Sequence, residues 1–211
     1  MHDIRPTLRF ARLGDCAAIE SLMRKAIDTR CVRDYSTEQI AAVRRHFGFG
    51  LPDEQLIRDV TYFAAEMGGR LAGCGGWTWR TAPYDLRNDD TGVTDTLPHP
   101  TPGRAALRAI FVDPDMGGRG IGQLLVRTAE AAARKLGYDT FEIVATLTGV
   151  PLYRKAEYRM HGRYSLALPR GGSFPIAFMS RSDRDSTFLD ATEACGTPAS
   201  RRFRHPSIGL L

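Results

Sequence analysis

The chain has 211 residues, 43% apolar and 25% charged, with a formal net charge of +5. That balance suits one globular domain with a sizeable core and excludes fibrous or largely disordered classes. No stretch reaches the ~18 apolar residues of a membrane span, and MHDIRPTLRF lacks the apolar segment of a secretory signal, so a cytoplasmic protein without a membrane partner is expected.

TLRFAR (7–12) alternates like a first strand. Asp15 can cap a helix whose Ile19, Leu22, Met23, Ala26 and Ile27 share one face. Ser36 and Gln39 have the spacing of a capping box, opening a second helix with Ile40, Val43 and Phe47 inward. A short helical stretch is expected at 53–59. TYFAAEMGGRLAGCGGWTW (61–79) reads as a hairpin turning at Gly68-Gly69. Residues 80–103, rich in Pro, Asp and Thr, read as a long loop insertion.

RAALRAIFVDP (104–114) is expected to be a strand ending at Pro114. After the glycines that follow, a helix should present Ile121, Leu124, Leu125, Ala129, Ala132 and Leu136 on one face and stop at Gly137. TFEIVA (140–145) is another strand, and 148–158 fits a short helix. MHGRYSLAL (160–168) and FPIAFMSR (174–181) make a final hairpin, and 182–211 form a loose tail. The expected division is therefore one domain over 1–181 followed by that tail. The fold class is α/β (α+β), a mixed sheet with helices on both faces.

The cysteines, Cys16, Cys31, Cys74 and Cys195, are scattered without a C-x-x-C pair, and the histidines form no metal motif, so free thiols and no metal site are expected. Lys25, Lys135 and Lys155 are the only lysines. The arginines are dispersed apart from Arg201, Arg202 and Arg204, so nucleic acid is not expected as a partner.

The chemistry concentrates in DPDMGGRGIGQLL (113–125), where Gly117, Gly118, Gly120 and Gly122 stand between a strand and a helix. Strand, bare turn and helix in that order converge backbone N–H groups and a positive helix end on an anion. Leu125 breaks the G-x-G-x-x-G spacing of a dinucleotide site, and Gln123 stands where a nucleotide-triphosphate loop needs Lys. The segment instead resembles the Arg/Gln-x-x-Gly-x-Gly/Ala loop of the GNAT superfamily of N-acetyltransferases. ATLTGVPLYRKAEYRMHGR (145–163) is similar to that family's later strand, short helix and closing strand. The resemblance spans about residues 7–181. It departs at Gly117, where the family has Arg or Gln, at Thr148, where many members have Asn, and at Glu157, where most have Gly.

The resemblance implies a GNAT-like, mainly antiparallel mixed sheet, acetyl-CoA as acetyl donor, and an amine acceptor, either a small molecule or an exposed protein amine. It implies diphosphate binding by the backbone of Gly117, Gly118, Arg119, Gly120, Ile121, Gly122 and Gln123, with Arg119 supplying charge missing at 117. The pantetheine arm would lie along Ile110, Phe111 and Val112, on a strand that splays from 140–145. Tyr153 takes the position of the general acid. Glu66 and Glu142 are candidate bases, with a water relay as the other option. Tyr35, Trp77 and Trp79 are aromatic candidates for the acceptor side, the two tryptophans sharing a strand face. A homodimer is compatible with this reading. A non-catalytic acyl-CoA sensor is the alternative function.

Overall fold

The computed structural model describes residues 5–80, 103–169 and 171–184. The expected insertion and tail lie outside them, save for residues 80, 103 and 182–184. Seven strands form one sheet: β1 (Thr7–Phe10), β2 (Tyr62–Met67), β3 (Arg70–Thr78), β4 (Ala105–Val112), β5 (Thr140–Thr146), β6 (Arg159–Ala167) and β7 (Ser173–Ser182). Their order is β1-β2-β3-β4-β5-β7-β6. Every pairing is antiparallel except β4 with β5.

Five α-helices accompany the sheet among the described residues: α1 (Cys16–Arg30), α2 (Thr37–Phe47), α3 (Glu54–Arg58), α4 (Ile121–Lys135) and α5 (Val150–Lys155). The strand period of two decides which helix meets which face, except near Ala72, where the β2–β3 register shift puts Ala72 and Cys74 on opposite faces. Tyr62, Ala64 and Cys74 pack with Ile19, Leu22 and Met23 of α1 and Leu56 and Ile57 of α3. Phe63, Ala65, Ala72 and Trp77 pack on the α4 side, against Leu125, Val126, Ala129 and Ala133. Ile27 of α1 and Ile40 and Val43 of α2 join Phe174 and Ile176 of β7 in a third cluster. Cys74 is fully buried, and burial pushes its thiol up to about 12, as befits a core residue.

Local chemistry sets the element ends. Gln39 N–H donates to Ser36 Oγ at 3.2 Å and Ser36 N–H donates to Gln39 Oε1 at 2.8 Å, the reciprocal pair that starts α2. The β2–β3 hairpin turns on Gly68 and Gly69, at φ +61° and +73°. Leu136 does not face inward as the period suggests. Helix α4 ends at Lys135, and Leu136 is 54% exposed where the chain swings away at Gly137. Glu130, by contrast, is a buried carboxylate in α4, satisfied by the Tyr158 hydroxyl at 3.0 Å, Arg134 at 3.1 Å and Arg181 at 2.7 Å. No helix among the described residues is long and apolar enough to cross a membrane.

Acid sensitivity follows from the carboxylate–arginine pairs at the sheet margins. Arg9 holds Asp15, Arg80 holds Asp59 and Arg134 holds Asp183 below the ordinary carboxylate range, mainly through hydrogen bonds. Folded values lower than unfolded ones stabilise the protein above the unfolded pKa and lose that contribution as pH falls through the folded one. The melting temperature should therefore hold at neutral pH and fall below about pH 4. Arg9→Met should flatten that fall, and a melting temperature insensitive to acid would refute the pairs' contribution.

Candidate active site

The cleft begins where two neighbouring strands part. Strand β4 pairs with β5 only at Ala105 with Phe141 and Ala106 with Glu142. Beyond that point a cavity of about 570 Å³ opens between them, lined by Arg108–Phe111 of β4, Ile143–Thr146 of β5, and Gly149, Leu152 and Tyr153.

The sequence around β3 causes this divergence. Ala109 has φ +50°, and the β3–β4 register shifts between Cys74 and Gly76, which together make a bulge in β4. A Cβ on Gly75 would sit 2.7 Å from Ile110 Cγ1 and 3.0 Å from Ile110 Cα, so only glycine admits the bulged strand there. The Tyr62 hydroxyl donates to the Ala109 carbonyl at 3.0 Å and ties down the displaced backbone. Burial pushes the Tyr62 phenol well up, keeping it protonated as that donor. Neither Tyr62 nor Ala109 carries a motif, so neither is legible as a site residue in the sequence alone.

At its other end β4 runs into the glycine loop. Asp113 accepts from the Asp115 N–H at 3.0 Å and from Lys25 Nζ at 2.7 Å, anchoring the turn to α1. Gly118 and Gly120 take left-handed conformations, φ +78° and +79°, with open space where a Cβ would be. Gly120 caps α4 without a side-chain hydrogen bond. The first N–H groups of a helix have no partners inside it, and here they emerge at the positive end of a 15-residue dipole. Such an end suits a diphosphate.

The side chains around this loop divide in role. Ile121 is 1% exposed and faces the core, leaving only its backbone to the loop. Gln123 Nε2 donates to the Leu152 carbonyl at 2.9 Å, so its side chain ties α4 to α5 instead of reaching toward an anion. A Cβ on Gly117 would lie 2.5 Å from Arg30 Nη2, which donates to the Pro114 carbonyl at 3.1 Å. The space left by the missing side chain at 117 is thus taken by a guanidinium from α1. Arg119 is exposed and has no ion-pair partner among the described residues. Arg30 was not among the expected site residues, because nothing in the local pattern links the end of α1 to residue 117.

Tyr153 lines the cleft and is 5% exposed, its ring edge-on to Tyr158 with centroids 5.7 Å apart. Gly149 lies beneath it, with room for a Cβ only 3.3 Å from Tyr153 Cε2. Thr148, the first departure in this stretch, donates to Asp34 Oδ2 at 2.6 Å and fastens the turn before α5 to the α1–α2 connection. Glu157 keeps a left-handed backbone, φ +67°, so the chain there follows the path a glycine would take.

Several expected residues stand elsewhere. Trp77 is 1% exposed and packs with Tyr138 and Trp79 under α4; neither tryptophan lines the cleft. Their shared face is the core face on the α4 side, opposite Cys74, which packs toward α1. Tyr35 lies one layer behind the wall, stacked on Phe174 at 4.0 Å, donating to the Pro175 carbonyl at 2.8 Å and accepting from the Leu147 N–H at 2.6 Å. Glu66 pairs with Arg9 beside β1, and Glu142 is a 2% exposed partner of Arg104 at 2.6 Å. Neither glutamate lines the cleft, whose carboxylates are Asp53 and Glu54.

A family model described as the acetyltransferase (GNAT) family matches residues 19–158, about two thirds of the chain. The chain belongs to the GNAT acetyltransferase family. No curated protein matches its sequence. Among solved structures, a GCN5-related N-acetyltransferase from Rhodopseudomonas palustris superposes with TM-score 0.61 at 16% identity, covering 86% of this chain and 99% of that one. The PaiA N-acetyltransferase from Thermoplasma acidophilum, solved with coenzyme A, gives 0.58 at 15% identity over 85% and 99% of the two chains. A GNAT family acetyltransferase from Brucella melitensis, solved with acetyl-CoA, gives 0.51 at 16% identity over 85% and 88%. At such identities the likeness is one of fold, and it agrees with the expected mainly antiparallel sheet with helices on both faces.

Proposed function

We propose that this protein is an acetyl-CoA-dependent N-acetyltransferase acting on a primary amine. The observation that carries the reading is the continuity of the parted β4–β5 strands with a glycine loop whose α4 amides lack a side-chain cap. Such a loop offers N–H donors and a helix dipole to the diphosphate of an acetyl donor. The parted β4 edge offers main-chain groups along which an extended arm can add as a strand would. Two structurally similar acetyltransferases were solved with coenzyme A or acetyl-CoA, which supports the same donor here.

Chemistry at the thioester needs two further groups. The backbone of Ile110–Val112, just past the Ala109 bulge, supplies donors where negative charge develops on the carbonyl oxygen. Tyr153 supplies a proton to the departing sulfur. With an ordinary phenol near 10 and a thiol near 8.5, that transfer needs a site favouring the thiol form. An alkyl amine near 10.4 must first lose a proton, to a carboxylate or through water.

Two measurements test the reading. Acetyl-CoA at 100 times its dissociation constant should stabilise the fold by about 2.7 kcal/mol, read as a rise in melting temperature. Thiol release should then depend on added amine. A protein that binds acetyl-CoA yet releases no thiol with any amine would be a sensor, and one that shows no shift would not use this donor.

A further inference from the structure

The part of the cleft away from the glycine loop carries its own selectivity. Phe49, from the loop after α2, meets Phe111 of β4 at 6.1 Å and Phe174 of β7 edge-on at 5.9 Å. With Phe47 and Leu51 these rings give the cavity an apolar, aromatic wall. The loop that presents Phe49 is fixed by its neighbours. Gly48 and Gly50 adopt φ +62° and +94°, and a Cβ on Gly50 would come within 2.8 Å of Ile27 Cδ1. The wall is therefore held down on α1 by packing.

The charges on this wall are few. Asp53, Glu54 and Arg108 are its ionisable groups among the described residues. Glu54 is paired with Arg58 one helical turn away, at 3.1 Å. Asp53 uses Oδ1 to accept from the N–H groups of Gln55 and Leu56, at 3.1 and 3.3 Å, as the cap of α3. Its Oδ2 forms a loose ion pair with Arg108 Nη2 at 3.8 Å, too long for a direct hydrogen bond, so an incoming amine can reach the same oxygen. Arg108 precedes the Ala109 bulge, so Asp53 Oδ2 lies at the end of the cleft where β4 leaves β5.

An aromatic wall whose two carboxylates already have arginine partners, Asp53 with Arg108 and Glu54 with Arg58, is a poor host for a polyamine or a lysine-rich segment. Each further ammonium would be desolvated without a partner. Resting on the acetyltransferase reading above, we propose that the acceptor is a small arylalkyl monoamine, its ring on the Phe49–Phe111–Phe174 wall and its nitrogen at Asp53 Oδ2. The ammonium first gives one proton to solvent by way of Asp53. As the N–C bond forms and the C–S bond breaks, the second amine proton leaves nitrogen and the sulfur ends as a thiol, giving the N-acetyl amine.

Asp53→Asn separates the charge from the cap, because Asn caps helices as well as Asp. In the full-length protein this variant should keep its melting temperature and its acetyl-CoA shift. Its KM for 2-phenylethylamine should rise about tenfold or more, the loss of a hydrogen bond between charged groups. Leu51 lines the wall yet is 52% exposed, so Leu51→Glu should fold normally and shift preference from 2-phenylethylamine toward spermidine. Three results would overturn the inference alone: acetyl-CoA binding with spermidine or a lysine peptide preferred by the wild type, an unchanged KM in Asp53→Asn, or no turnover of 2-phenylethylamine. Failure of acetyl-CoA to bind would instead overturn the acetyltransferase reading, and this acceptor with it.

Discussion

Replacing Tyr153 with Phe should slow acetyl transfer by roughly 10²–10⁴-fold, the usual worth of a positioned proton donor. The substitution removes one oxygen and leaves the ring, so the edge-on contact with Tyr158 and the packing over Gly149 survive. Stability and the acetyl-CoA-dependent rise in melting temperature should both match the wild type. The loss should appear in kcat, because the hydroxyl acts on the departing sulfur and not on donor binding. Its size should shrink as pH rises toward and past the thiol's own pKa, where the sulfur can leave unprotonated. A rate unchanged by the substitution over a broad pH range would remove Tyr153 from the reaction. A lowered melting temperature would point to a packing role through α5.

Legibility from sequence varied with the range of the interaction that decides each feature. The α2 cap, the hairpin at Gly68-Gly69 and the inward face of α1 depend on neighbours within a few residues, and there the pattern and the structure agree. The parting of β4 and β5 was also expected, through the resemblance. What local pattern could not convey was which side chains meet across the sheet. Trp77 and Trp79 have the spacing of a shared face, but spacing does not say which face is buried under α4. Glu142 reads as a solvated carboxylate until Arg104 is brought to it from the start of β4. The filling of Gly117's empty side-chain space by Arg30 depends on α1 crossing the loop, and that packing has no signature in either segment. Asp53 could have been found by its capping position before Gln55 and Leu56, although only the fold sets its second oxygen opposite Arg108.

Gly120→Val should abolish the acetyl-CoA response while leaving a folded protein. Crowding is not the cause, since a Cβ at 120 meets nothing within 4 Å. The cause is the backbone. Gly120 holds φ +79° and ψ 0°, a left-handed conformation that costs an L-residue about 1–2 kcal/mol, and a β-branched one more. Valine can relieve that strain by rotating the peptide units on either side, and those units carry the N–H groups at the head of α4. A displaced amide no longer points where a diphosphate would sit, so binding is lost for a cost the fold can absorb. The melting temperature should drop by roughly 2–8 °C, the range that 1–2 kcal/mol gives for a chain of this size. Gly68→Val is the matched control: Gly68 is also left-handed, φ +61°, and also open, but it lies in the β2–β3 turn and not at the head of α4. It should lower the melting temperature by a similar amount and keep the full acetyl-CoA shift. If Gly120→Val keeps that shift as well, the α4 amides are not what holds the donor, and the cleft must bind it by the β4 edge alone.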